Sequence, residues 1–404
     1  MAEGLADADL ASAEAALLKR ARTFVDEHVE PKASERSRQG ASSQALMREA
    51  GRLGLIGVQI PRSLGGLGLP FSSKVKLTRL LAAADFGVAM AVVNSHNVVE
   101  HLARMGCSDH ISRWVPRLLT GEMTGCTALT EPQAGSDAAA MLTQAQAVDG
   151  GWRLDGAKSW ITNAVHADVL IVYAQTQPGG GAAGIAAFVV DAQATGFERA
   201  AQPPQGPVSS IGSGSFKLAQ YQCDGQDMLA APGVAFKDIL NSINGARVYV
   251  AAMCCGMVDR ALALASEYGV FRQTFGASLH AHQGWRWRLA DAAIDLEAAN
   301  LLVDHASVLV DDGDHLRAQV AAAKAKVFAT RMAQRHLAEL LHAMGAQGLS
   351  EQHPLTRHLA AAQVATLVDG STEMLLERIA RDVQGQADTA VGLTIHSTQQ
   401  TKDQ

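Results

Sequence analysis

The chain has 404 residues, 48% of them apolar and 18% charged, and 34 basic against 40 acidic side chains give a formal charge of −6. At roughly 150 residues per domain, this length predicts two or three packed units around a large core, and the composition excludes wholesale disorder. The acidic balance argues against a nucleic-acid partner, and five cysteines without a CxxC pair argue against a zinc cluster or disulfide framework.

The first residues place Glu3, Asp7 and Asp9 ahead of any base, unlike a secretory signal or transit peptide. With reduced cysteines, this leads to the expectation of a soluble, cytoplasmic protein. Residues 11–30, rich in Ala, Leu and Glu, predict a helix that Pro31 stops. A second helix is expected over 43–53, a Gly/Pro-punctuated loop over 60–70, and helices over 72–104 and 108–120 with Gly121 as the stop. Residues 1–123 therefore read as a helical domain.

Between 124 and 232 the texture changes to short β-branched runs separated by turns, such as DVLIVYAQ over 168–175 and IAAFVVD over 185–191. A small antiparallel barrel or sandwich is expected. Within it, Gly179-x-Gly181-x-x-Gly184 matches a dinucleotide fingerprint, but β-type runs flank it on both sides. That fingerprint needs a helix to leave it, so a hairpin loop is the expectation.

Residues 236–268, 281–311, 314–345 and 354–383 are long, Ala-rich and amphipathic, predicting a four-helix bundle over 233–383. The longest apolar run, 248–258, is about eleven residues, too short to span a bilayer. It holds Cys254 and Cys255, expected as buried, inert thiols. Trp285 and Trp287 are expected to pack, and residues 384–404 to form an extended or mobile tail. The spacings His280/His282 and His96/His101 do not put two imidazoles on one helical face with a third ligand, so no metal site is expected.

Three segments carry a more specific signal: ALTEPQAGSD over 128–137, GAKSWITNA over 156–164 and RQTFGASLHAHQ over 272–283. Together with IPRSLGGLG over 60–68 and DGST over 369–372, they resemble the FAD-dependent acyl-CoA dehydrogenases, in the family's order and over nearly the whole chain. The resemblance implies an α+β fold with an N-terminal helical domain, a middle β-barrel or sandwich domain and a C-terminal four-helix bundle. It also implies FAD lying between the last two, and an active homotetramer built as a dimer of dimers.

By resemblance, Leu129 and Thr130 hydrogen-bond the flavin pyrimidine edge, and Ser136 lies near the pyrophosphate and the acyl thioester. Trp160 shields one flavin face and Thr162 bonds near N5. Arg272, Phe275 and Gln283 reach a neighbouring subunit's FAD, Arg272 at the pyrophosphate, where a guanidinium gives a two-pronged match. His342 stands where the family usually has an adenine-side Gln, and Ser371 approaches the adenosine. Donors around N1, O2 and N5 suit a ring that gains negative charge.

The family's reaction removes an α-proton from an acyl thioester while the β-carbon delivers hydride to flavin N5. Its usual base is a Glu before Gly-Thr; the aligned residue here is Asp369, shorter by one methylene, roughly 1.5 Å. A misplacement of ~1 Å can cost on the order of a hundredfold in rate. Glu373 is a fallback, and Arg247 steadies the base's charge. Residues 89–101 are expected to line the substrate pocket, which makes His96 a candidate substrate contact, although a satisfied helix histidine is the more common state of such a residue. Asn244 replaces an acidic contact on the CoA side. An acyl-CoA substrate with an electron-transfer flavoprotein as acceptor is the leading expectation. A carrier-protein-bound acyl thioester, or a flavin monooxygenase or desulfinase on the same fold, stands as the alternative.

Overall fold

The computed structural model describes residues 7–39, 44–200 and 206–385; the expected tail lies outside these from residue 386 onward. Helix α1 spans Asp7–Phe24, and Pro31 does not end the helical run. A π turn over Val25–Val29 and a 3-10 turn over Glu30–Lys32 carry the chain into α2, Ala33–Gln39. Pro31 sits in the first turn of the 3-10 segment, where its missing N–H is not called for.

After α3 (Gln44–Arg52), the single helix expected over 72–104 is two: α4, Phe71–Ala84, and α5, Phe86–Met105. Asp85 is the break. Its extended backbone ends α4, and its carboxylate caps α5 by accepting from Gly87 N at 3.0 Å and Val88 N at 3.3 Å. The same carboxylate receives Arg36 Nε at 3.2 Å and Ser210 Oγ at 2.8 Å, tying α2 and α5 to the middle domain. Gly87 permits this approach, because a Cβ there would stand 2.1 Å from Ser210 Oγ. Helix α6 (Ser108–Leu119) closes the domain.

The middle domain has strands β1 (Gly125–Ala128), β2 (Gln144–Val148), β3 (Gly151–Ile161), β4 (Val169–Gln175), β5 (Ile185–Asp191), β6 (Phe197–Ala200), β7 (Gly214–Asp224) and β8 (Met228–Ala230). They form one sheet ordered β6-β7-β3-β2-β4-β5-β8, with β1 on β4. The sheet is mixed rather than antiparallel, because β1 runs parallel to β4 and a single parallel pair, Gln144 with Gln175, joins its two halves. Strand β4 is buried at all seven positions because the pleat sends Leu170, Val172 and Ala174 into the domain's own core and Val169, Ile171 and Tyr173 into the main core. Residues 181–184 form a 3-10 turn between β4 and β5, the expected hairpin connection.

The C-terminal part packs α7 (Ala235–Phe271), α8 (Gln283–Asp311), α9 (His315–Ala343) and α10 (Leu355–Leu367), with a hairpin of β9 (Gln273–Thr274) and β10 (Ala277–Ser278) after α7. By length and hydropathy α7 could cross a membrane, more than its short apolar run suggests, but 72% of its most apolar stretch is buried within the protein. Cys254 and Cys255 are fully buried there. Trp285 packs inward, donating Nε1–H to Ala343 O at 3.1 Å, whereas Trp287 is exposed. The helix expected over 354–383 breaks at 368–371, and α11 follows over 372–385. Asp369 (φ 55°) and Gly370 (φ 101°) turn the chain between the two helices.

Candidate active site

Two of the motif segments meet across a buried ion pair. Lys158, on β3, donates to Glu131 Oε1 at 2.8 Å and to Leu129 O at 2.9 Å, while Ser159 N donates to Thr130 O at 3.1 Å. Glu131 also accepts from Leu142 N at 2.6 Å and Thr143 N at 2.9 Å. Burial would raise the Glu131 carboxyl, but the Lys158 ammonium and these hydrogen bonds outweigh it and hold it at about 2. This brace sets the half-buried Leu129 and Thr130 beside the end of β3.

There the β3–β7 ladder slips between Lys158 and Ile161, a bulge that puts Trp160 at φ 59° and leaves it 67% exposed. Thr162 is half-buried next to it. Asn163, also left-handed at φ 66°, anchors the turn by donating to Ala91 O at 2.9 Å and Gly125 O at 3.1 Å. Ser136 is exposed at the far side of the 128–137 loop. Among these residues, Glu131 and Lys158 are the ones sequence reasoning missed, although both lie inside the quoted motifs.

On the helical side, Asp369 sits in a loop whose carbonyls are held by two buried cations. Arg247 Nε donates to Asp369 O at 2.9 Å, with its Nη1 on Asn244 Oδ1 at 2.7 Å. Lys326 Nζ donates to Gly370 O at 2.7 Å and also to Val368 O. Burial pushes the Asp369 carboxyl above its usual value, and Lys326 and Arg247 pull against that shift. Burial likewise lowers Lys326 to about 8 and Arg247 to about 10, so both stay largely charged near neutral pH. Lys326 was also missed. Its signal was a lysine on the apolar face of an Ala-rich helix, in step with the buried Ala322, Ala329 and Ala333. Ser371 is half-buried at the end of the loop, and Glu373 is exposed beyond it.

A cavity of about 170 Å³ lies between α4, α5 and α7, lined by Phe71, Lys74, Asn97, Glu100, Asn244 and Tyr249 among others. Tyr249 links it to the Asp369 loop. Its hydroxyl accepts from Asn97 Nδ2 at 3.1 Å, and burial, with the Asp369 carboxylate next, pushes that hydroxyl well above its usual value. His96 does not line this cavity. It is buried behind Glu100, and its Nε2 accepts from Gln59 N at 3.2 Å. Of the segment 89–101, only Asn97, Glu100 and His101 face the space.

Arg272, Phe275, Gln283 and His342 are all exposed at the other end of the bundle. Phe275, at φ 51°, is 100% exposed on the β9–β10 turn. His342 lies sixteen residues along α9 from Lys326, about 24 Å at 1.5 Å per residue. The structure thus separates this group from Asp369 within one chain.

A bare indole on a strained bulge, flanked by the half-buried Thr130 and Thr162, suits a flat aromatic ring laid across this face. Family models agree with the three domains: acyl-CoA dehydrogenase N-terminal domain over 12–122, middle domain over 126–220 and C-terminal domain over 236–384. The short-chain specific acyl-CoA dehydrogenase of Megasphaera elsdenii is 30% identical over 375 residues, covering 92% of this chain and 97% of that one. The solved butyryl-CoA dehydrogenase from Megasphaera elsdenii has a TM-score of 0.88 at 29% identity, covering 95% of this chain and 100% of its own. An FAD complex of PigA gives 0.86 at 25% identity, covering 95% and 99%. The chain belongs to the acyl-CoA dehydrogenase family of FAD-dependent oxidoreductases.

Proposed function

We propose that this enzyme oxidises a short acyl-CoA to its α,β-enoyl thioester, with Asp369 as the base that removes the α-proton. The observation that carries this reading is the Asp369 loop: a carboxyl raised by burial, on a backbone fixed at three successive carbonyls by Lys326 and Arg247. Raising the carboxyl brings a base of the right strength closer to neutral pH. Fixing the backbone offsets the reach lost with one methylene, because the shorter arm then starts from a defined place.

FAD, when bound, supplies the two-electron acceptor for the β-hydride. Leu129, Thr130 and Thr162 hold its ring with hydrogen bonds, Trp160 covers one face, and Ser136 and Ser371 approach its phosphate and adenosine parts. Arg272, Phe275, Gln283 and His342, remote from Asp369 within one chain, serve the FAD of a second subunit in a homotetramer. Arg247 steadies the charged base, and Asn244, held by Arg247, borders the thioester's path. The small cavity and the short-chain name of the bacterial relative both favour a short acyl group. An electron-transfer flavoprotein takes the electrons onward.

The test is anaerobic mixing of the yellow protein with butyryl-CoA. Bleaching of the flavin band is expected; a flavin that no acyl-CoA bleaches would overturn the reading.

A further inference from the structure

The cavity between α4, α5 and α7 is unlike a slot for an alkyl chain. Lys74, only 4% exposed, projects from α4 into its wall. Its ammonium donates to Asn97 Oδ1 at 2.8 Å and to Glu100 Oε2 at a long 3.4 Å, and it faces the rings of Tyr249 and Phe71 at 5.5 and 5.9 Å, with no third hydrogen-bond acceptor among the described residues. Glu100 Oε1 has no protein partner among them either, and the Glu100 side chain keeps 39% of its surface open. Behind the pair, the buried Nδ1 of His96 stands unpartnered, 3.7 Å from Glu100 Oε2. One cationic donor and one anionic acceptor therefore share a small space with hydrogen-bonding capacity left over.

Burial would raise the Glu100 carboxyl, but Lys74, His96 and His101 outweigh it and hold it at about 2; burial lowers the Lys74 ammonium while Glu100 pulls it back, and the two face each other as a cation–anion pair at 3.4 Å. Covering it with a methyl group would strip water from two charges and return nothing, and adding an ionised group would leave a net charge buried. A neutral group that both gives and accepts a hydrogen bond satisfies both partners. We infer that the acyl group oxidised by this enzyme ends in such a function, a hydroxyl or a carboxamide, held between Lys74 and Glu100.

This inference rests on the dehydrogenase reading and deepens it. The experiment measures anaerobic flavin reduction by matched thioesters. One comparison is 4-hydroxybutyryl-CoA with pentanoyl-CoA and 5-hydroxypentanoyl-CoA with hexanoyl-CoA, where a methyl replaces the hydroxyl. The other is glutaryl-CoA with its terminal amide. The hydroxyl or amide member is expected to lead by at least about tenfold in kcat/KM. Lys74→Met combined with Glu100→Gln is expected to abolish or reverse that preference. If pentanoyl-CoA and hexanoyl-CoA reduce the wild-type flavin as fast as their hydroxyl partners, the inference fails while the dehydrogenase reading stands. An unchanged ratio in the double variant also overturns it, and would make the pair a structural brace. A double variant that fails to retain flavin leaves the wild-type ratios to decide.

Discussion

The Lys326 ammonium donates to Gly370 O at 2.7 Å and to Val368 O, so that one side chain holds the backbone on both sides of Asp369. It acts on Asp369 twice, by fixing where its backbone stands and by opposing the rise that burial imposes on its carboxyl. The Lys326→Met variant removes both. The acid limb of the kcat/KM profile, assigned in the proposed reaction to protonation of Asp369, is expected to move to higher pH. The plateau should fall by on the order of a hundredfold from the loosened loop. A pH profile separates the two effects, since loosening alone lowers the plateau and leaves the limb in place.

Asp369→Asn keeps the shape and removes the basicity. Flavin reduction is expected to slow by on the order of 10²–10⁴, the usual worth of a general base, with FAD still bound. Asp369→Glu is not a restoration. Asp tolerates the left-handed backbone at φ 55° better than most residues, and the longer arm overshoots a substrate seated for the shorter one. Stopped-flow reduction by butyryl-CoA measures both variants; full activity in Asp369→Asn would remove Asp369 from the reaction, and full activity in Asp369→Glu would show that the longer arm is accommodated.

The Lys158–Glu131 pair makes a prediction about acid stability. Glu131 titrates at about 2 in the fold against an ordinary value of 4.5, so its contribution is complete above 4.5 and is lost as the pH falls toward 2. Thermal melts and flavin retention should decline across that window, and Glu131→Gln should flatten the decline. Lys158→Met leaves the carboxylate buried and unpaired, at a cost of about 3–5 kcal/mol, and should release the flavin at neutral pH.

Phe275 stands fully exposed on its turn although a left-handed backbone is unfavourable for an aromatic residue. Its partner is expected on another subunit. Phe275→Ala should therefore lose FAD on gel filtration under conditions where the wild-type protein elutes yellow, with an unchanged far-UV spectrum. Equal retention of flavin would assign the ring a different task.

The helices and strands were legible because their periods were plain, as in β4, where a continuous apolar run reflects a strand with a core on each face. Breaks were less so. Asp85 divides α4 from α5 through a cap completed by Arg36 and Ser210, residues far off in sequence that no local pattern reveals. Pro31 misled because the chain could change its helical pitch around it. At the site, the motif residues were readable one by one, but their supports were not. Lys158 and Lys74 look like ordinary surface lysines until tertiary packing buries them beside a carbonyl or a carboxylate, whereas Lys326 is marked in the sequence only by its place on an apolar helix face. Even so, the break at 368–371 was foreshadowed by the Asp-Gly pair, a common turn signal.

The bulge that turns Trp160 outward has a practical side. An indole open to water over two-thirds of its surface emits as a solvated fluorophore, and a yellow ring stacked upon it would drain that emission. The protein thereby carries its own optical gauge of cofactor loading. Titrating stripped protein with FAD should dim this residue, and a Trp160→Phe control would identify the share of the signal that belongs to it.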